Sequence, residues 1–207
     1  MKKIAIFAFA ITLLATSCKK EEKTEAPVEE TTEATPEVVS LKIVSDSTKV
    51  NWTAYKTTDK VAVGGSFTAI SLKDTKEGET PETVLEGASF SIPVSSVFTN
   101  NPERDEKLKQ FFFSVLKDTE LIGGVINFKE GKTVLTLTLN GVTQSVDVTS
   151  KFENKKFTVD GVINLEDFGA QAAVESINKA CYDLHKGADG VSKTWSEVAI
   201  SGSVLFE

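Results

Sequence analysis

The chain has 207 residues, enough for one ordinary domain or two small ones. At 40% hydrophobic and 26% charged its composition is globular, neither disordered throughout nor membrane-embedded. A net charge of −7 argues against sequence-independent nucleic-acid binding and against general electrostatic docking on anionic lipid, and one histidine with two cysteines leaves little material for a protein-built metal site.

Lys2 and Lys3 form a positive start, and residues 4–15 form an apolar run too short to span a bilayer. Ala15, Thr16 and Ser17 are small, and Cys18 follows. The order resembles a bacterial lipobox with cleavage before Cys18, although Ala15 stands where the pattern prefers Leu. The resemblance implies a signal peptide over residues 1–17 and acylation, palmitate included, at Cys18. Two or more acyl chains anchor a protein stably where one binds only marginally. Lys19-Lys20-Glu21-Glu22 resembles an export signal for surface lipoproteins, so an outer-membrane lipoprotein of a Gram-negative envelope is expected. Whether it faces the periplasm or the cell surface stays open. Residues 19–39 are rich in Glu, Thr, Pro and Ala and lack the apolar side chains that offset ordering entropy. Residues 18–39 therefore read as the lipidated cysteine and a disordered acidic tether, and 40–207 as the folded domain.

From Leu41 onward the hydrophobic period is two, the signature of strands with one apolar face. Ala88, Phe90, Ile92 and Val94 share a face. So do Leu135, Leu137 and Leu139, opposite Val134, Thr136 and Thr138. Phe157, Val159, Gly161, Ile163 and Leu165 form a third set, and Val198, Ile200, Gly202, Val204 and Phe206 a fourth. Asn140-Gly141 is a strong hairpin signal, and 153–156 is a second turn. Runs near 41–45, 49–57, 61–72, 84–95, 119–128, 131–140, 142–152, 156–165 and 194–206 give eight or nine strands. The reading is an all-β protein, an antiparallel eight-stranded barrel, with a sandwich as the rival architecture.

Two segments break the period. At 101–113, Asn101 is an N-cap, Pro102 the first helical residue, and Leu108, Phe111 and Phe112 lie at helical spacing. Phe111, Phe112 and Phe113 cannot all face one way on a helix. At 169–187, Ala173, Ile177, Ala180, Cys181 and Leu184 share a helical face, with Gly187 as the stop. One or two helices are expected to cover a barrel end.

Four stretches together resemble the YceI-like, polyisoprenoid-binding family. They are "VNWTAYKTTDKVAVGGSFTAI" (50–70), "SIPVSSVFTNNPERDEKLKQFFF" (91–113), "LTLNGVTQSVDV" (137–148) and "INLEDFGAQ" (163–171). They carry Gly65-Ser66-Phe67, Ser96-Val97-Phe98-Thr99, Arg104-Asp105-Glu106-Lys107-Leu108, Leu137 to Thr143, and Asp167-Phe168-Gly169. Leu165-Glu166 replaces the arginine the family often has before the last element, and a longer insert holds Cys181 and His185. The resemblance implies a lipocalin-like barrel with a helical cover, enclosing in some members a long isoprenoid chain.

An eight-stranded barrel either fills with side chains or holds one small ligand. Ala54, Gly65, Ala69, Ala88, Gly124, Gly161 and Gly202 fall on apolar faces, which reads either as room inside or as tight curvature. The expected ligand is an isoprenoid or other long-chain lipid of the quinone or polyprenyl type. The candidate lining is Trp52, Phe67, Phe90, Ile92, Leu135, Leu137, Phe157, Val159, Ile163 and Ile200, against the plainer reading of an ordinary filled core. Arg104, Asp105, Leu108, Phe111, Phe112 and Phe168 are candidates for the mouth or cover, with a local cap and ion pair as the plainer account of Arg104 and Asp105. No cofactor, metal or nucleic acid is expected, and a homodimer is left open. No nucleophile elbow or P-loop occurs. Cys181 and His185, four apart, have the spacing of an activated thiol, but Cys181 lies on the apolar face. The protein is read as a carrier or tethered module and not as an enzyme.

Overall fold

The computed structural model describes residues 40–118 and 120–207. The expected signal segment, Cys18 and tether lie outside them. The described chain forms ten strands and three short helices: β1 Lys49–Lys56, β2 Val61–Phe67, β3 Ser71–Lys73, α1 Pro81–Leu85, β4 Ser89–Pro93, β5 Val97–Phe98, α2 Pro102–Phe111, β6 Leu121–Lys129, β7 Lys132–Leu139, β8 Val142–Glu153, β9 Lys156–Asn164, α3 Gln171–Ala180 and β10 Thr194–Leu205. All ten strands join one sheet in the order β3-β4-β6-β7-β8-β9-β10-β1-β2-β5. Every pairing in it is antiparallel. One unbroken sheet curled into a half-barrel replaces the sandwich alternative and fits the expected lipocalin-like, all-β fold.

The strand count is ten, not eight. Eight strands have five or more residues, and the short β3 and β5 are the additions. The run 61–72 breaks after Phe67, where the Thr68 N–H donates to Ser96 O at 2.9 Å and the Ser96 hydroxyl donates to Ala69 O at 3.3 Å. The run 84–95 begins as helix. Thr80 Oγ1 caps it by accepting from Thr83 N at 3.2 Å, and Pro81 takes the first turn. Segment 41–45 makes only isolated bridges, Leu41 with Gly78 and Ile43 with Phe206.

Three tight turns set the register of the central meander. Glu130-Gly131, Asn140-Gly141 and Asn154-Lys155 all have positive φ, at 51° and 75°, 55° and 71°, and 50° and 59°. Two consecutive positive φ values are what a two-residue turn between right-twisted strands demands. Asn140 does more than turn the chain. It is 5% exposed, its Nδ2 donates to Phe168 O at 2.8 Å and to Gly169 O at 3.1 Å, and its Oδ1 accepts from Lys117 N at 2.7 Å. Gly169, in a left-handed conformation at φ 64°, ends the 3-10 turn Leu165–Phe168 that this asparagine clasps.

The α2 helix starts as expected, with Asn101 Oδ1 accepting from Arg104 N at 3.1 Å. It packs on α3, and α3 packs on β10. The α3 helix stops at Ala180, well before Gly187, and tightens into a 3-10 turn over Tyr182–His185. That shift in pitch takes Leu184 off the buried face formed by Ala173, Ile177 and Cys181 and leaves it 58% exposed.

The buried side chains fall into two clusters. The larger includes Phe113, Leu135, Leu137, Leu139, Ile163, Phe168, Ala173 and Val198. The smaller comprises Val84, Leu85, Ala88, Phe157, Val204 and Phe206, backed by Leu41 and Ile43.

Candidate functional site

Between these clusters the sheet encloses a cavity of about 530 Å³, within the usual range for small-molecule sites. Its wall follows from strand alternation. Val50, Trp52 and Ala54 reach it from β1, Leu135, Leu137 and Leu139 from β7, Phe157, Val159 and Ile163 from β9, and Val198, Ile200 and Val204 from β10. Both ends of β1 contribute, so the cavity runs the length of that eight-residue strand, a span of about 25 Å. All ten residues read from sequence as candidate lining face this space, with Phe67, Phe90 and Ile92 completing the set.

The glycines on the inner wall have a specific function. A Cβ at Gly65 would fall inside the indole of its β1 partner Trp52. One at Gly124 would lie 2.5 Å from the Phe90 ring and 2.6 Å from Thr136 O. One at Gly161 would lie 2.7 Å from Val148 Cγ1, and one at Gly202 3.0 Å from Val159 Cγ2. Each glycine is therefore a seat on which a neighbouring strand's side chain lies. Large side chains can rest along the wall there instead of meeting at the centre. Ala54 lines the cavity. Ala88 is fully buried and Ala69 is exposed beyond the end of β2, so those two residues do not face it.

The mouth candidates divide. Arg104, Leu108 and Phe112 line the cavity, whereas Asp105, Phe111 and Phe168 do not. Asp105 is 9% exposed and turns back, accepting from Thr99 N at 2.8 Å and from the Thr99 hydroxyl at 2.6 Å. It ties the first turn of α2 to the end of β5. Among the described residues it forms no ion pair with Arg104, and the helix cap is made by Asn101. Phe111 is the last residue of α2 and half-buried. Phe168, 1% exposed, sits in the core beneath the cover. Of the phenylalanine triplet, Phe112 and Phe113 enter the cavity and stack edge-to-face at 5.1 Å, and Phe113 meets Phe67 at 6.4 Å.

Other mouth residues come from distant segments: Tyr55, Lys56, Glu103, Lys107, Cys181, Leu184, His185 and Trp195. Lys107 Nζ pairs with Glu103 Oε1 at 2.7 Å, which holds the carboxyl below its ordinary range and the ammonium above its own. Lys56 Nζ donates to Leu184 O at 3.0 Å and pins the 3-10 turn to β1. Leu184 is exposed although it lines the cavity, which marks an opening to solvent.

Cys181 and His185 do not make an activated thiol. Burial raises the Cys181 pKa against the opposing charges of Lys107 and Lys56. Burial, then the Lys56 charge, lowers that of His185. The His185 Nδ1 is 2.7 Å from the Thr194 hydroxyl. The thiol and the imidazole thus both favour their neutral forms, as their burial dictates.

An antiparallel half-barrel wrapped on an elongated apolar cavity defines a lipocalin-like protein. The chain belongs to the YceI-like family: the YceI-like domain matches residues 41–204. Its fold is similar to that of a polyisoprenoid-binding domain from Saccharophagus degradans implicated in plant cell wall breakdown, at 15% identity and TM-score 0.56, covering 81% of this chain and 97% of that one. It is also similar to Burkholderia cenocepacia BcnA, at 19% identity and TM-score 0.53, covering 79% of this chain and 98% of that one. No curated protein sequence matches the chain.

Proposed function

We propose that the protein holds a long apolar isoprenoid, of the quinone or polyprenyl type, in its barrel and sequesters or carries it at the cell envelope. The observation that carries this reading is the cavity of about 530 Å³, lined mostly by aliphatic and aromatic side chains and reached from both ends of β1. Each buried CH₂-sized group of a ligand contributes about 0.8 kcal/mol. A few isoprene units thus reach micromolar affinity after association costs. Apolar contact discriminates weakly between tails, so several chain lengths are accommodated. The polyisoprenoid-binding description of the S. degradans domain, which shares this fold, points the same way. The Cys18 lipobox and the acidic segment after it extend the proposal to an acylated protein tethered to the outer membrane.

Native extraction from cells without detergent exchange, followed by mass spectrometry of the released lipid, tests the reading. A stoichiometric long-chain isoprenoid is the expected result. A protein that emerges without lipid, and takes none up from a quinone or polyprenol mixture, contradicts it and leaves a tethered interaction module.

A further inference from the structure

A long isoprenoid resides in a bilayer, so a carrier must meet that bilayer with its opening. The opening has an unusual surface. Tyr182, Leu184 and Val191 are 51%, 58% and 50% exposed, and all three belong to the insert between α3 and β10. The insert is held over the mouth. The Gly187 N–H donates to Val191 O at 2.9 Å, Lys193 N to His185 O at 3.1 Å, and Thr57 N to Lys193 O at 2.9 Å, while Thr58 Oγ1 bonds Asp189 at 2.7 Å. The apolar side chains are therefore displayed by a fixed loop and not by a loose one.

Lysines surround this patch, with their ammonium groups over aromatic rings. Lys186 Nζ lies 5.2 Å from the Tyr182 ring, Lys193 Nζ 3.5 Å from Trp195, and Lys60 Nζ 5.0 Å from Tyr55 and 5.1 Å from Trp195. Apolar tips beside aromatic rings and cationic heads are the composition of a membrane–water interface. Lys186, Lys193 and Arg104 form no ion pair among the described residues and can meet lipid phosphate, whereas Lys60 pairs with Glu197 and Lys56 is held on Leu184 O. The opposite end also shows apolar and basic residues, Phe152 and Leu205 with Lys151 and Lys156, but neither Phe152 nor Leu205 reaches the cavity.

We infer that the insert over residues 181–193 is the surface by which the protein docks on a bilayer, so that lipid passes between membrane and cavity beside Leu184 without crossing water. The inference rests on the carrier reading and adds the partner, a lipid surface, and the route. The insert carries Asp183 and Asp189 beside Lys186 and Lys193, so the contact rests on its apolar tips and aromatic-seated ammonium groups and not on a net positive charge.

The test mixes the full chain with vesicles of phosphatidylethanolamine and phosphatidylglycerol (3:1) carrying a long-chain isoprenoid quinone. Loading is followed by quenching of the two tryptophans, both of which line the cavity. The double variant Tyr182→Glu, Val191→Glu alters residues outside the cavity wall. It should load from vesicles at least tenfold more slowly, while its capacity for quinone supplied in detergent stays unchanged. Tyr182→Ser with Val191→Ser should slow loading less. Val162→Glu, on an exposed outward-facing position of β9, should load at the wild-type rate. Wild-type vesicle loading by both insert variants, or equal slowing by Val162→Glu, overturns the docking inference and leaves the carrier reading in place. No quinone uptake from detergent by any protein overturns both.

Discussion

The two ends of the cavity are built on opposite principles. At one end Leu85, Phe157 and Val204 line the space and are backed by Ala88 and Phe206, all 0–4% exposed, with Lys49 and Ser203 also reaching the wall. At the other, Lys56, Glu103, Arg104, Lys107 and His185 share the rim with an exposed Leu184. The first end is a closely packed floor, where removing a side chain leaves a hole. The second tolerates charge because water reaches it. The floor is thus held by close packing, and the proposed ligand entry lies at the rim.

The largest effect expected is at the floor. Phe157→Ala should cost about 3–5 kcal/mol and Leu85→Ala about 2–5, read as a fall in the urea midpoint without a change in slope. An effect below about 1 kcal/mol would mean that the floor is not closely packed. Near the rim one side chain stands out. Asn140→Ala removes three hydrogen bonds and leaves two carbonyls and an N–H without it, a loss of about 2–4 kcal/mol. Its melting curve should shift as far as that of a core truncation, although the residue lies in a turn.

Filling the cavity should separate binding from stability. Ala54 lines the cavity, so Ala54→Phe should put a ring into it, lower quinone capacity at least tenfold and change stability by less than about 1 kcal/mol. A filled barrel would instead lose about 1–3 kcal/mol to overpacking. Gly161 is unsuitable for this purpose, because even its first added carbon would strike Val148.

The pH dependence is smaller. The folded state holds the His185 pKa below its ordinary value, so the unfolded chain binds that proton first as pH falls. Its contribution to stability is complete above the unfolded pKa of about 6.5 and declines as pH drops below it toward the folded pKa. His185→Gln should flatten the stability profile in that window, which a melting series from pH 7.5 to 5 would measure. Smallest of all, Arg104→Ala should leave stability within about 0.5 kcal/mol, since its side chain is exposed and unpaired among the described residues.

The cavity wall was legible because strand alternation assigns faces two residues at a time, and Trp52, Leu135, Val159 and Ile200 needed nothing more. The α2 helix was legible through Asn101 and Pro102. The α1 helix was not, although Thr80 and Pro81 signal a helix start: five residues hold too little periodicity to outweigh the strand that follows. The rim was read only through Arg104, Leu108 and Phe112, because Lys56, Lys107, Leu184 and Trp195 come from four separate segments that only the folded sheet brings together. The link between the Asn140 turn and the Asp167-Phe168-Gly169 element was hidden for the same reason. Each looked like a local signal, and their contact spans 28 residues.

Diffraction from crystals of protein purified without added lipid or detergent addresses the hollow barrel itself. Continuous elongated density between Leu85 and Phe157 at the floor and Leu184 at the rim is the outcome expected. A wall collapsed inward, with Trp52 and Phe90 lifted from their glycine seats to fill the centre, would contradict it.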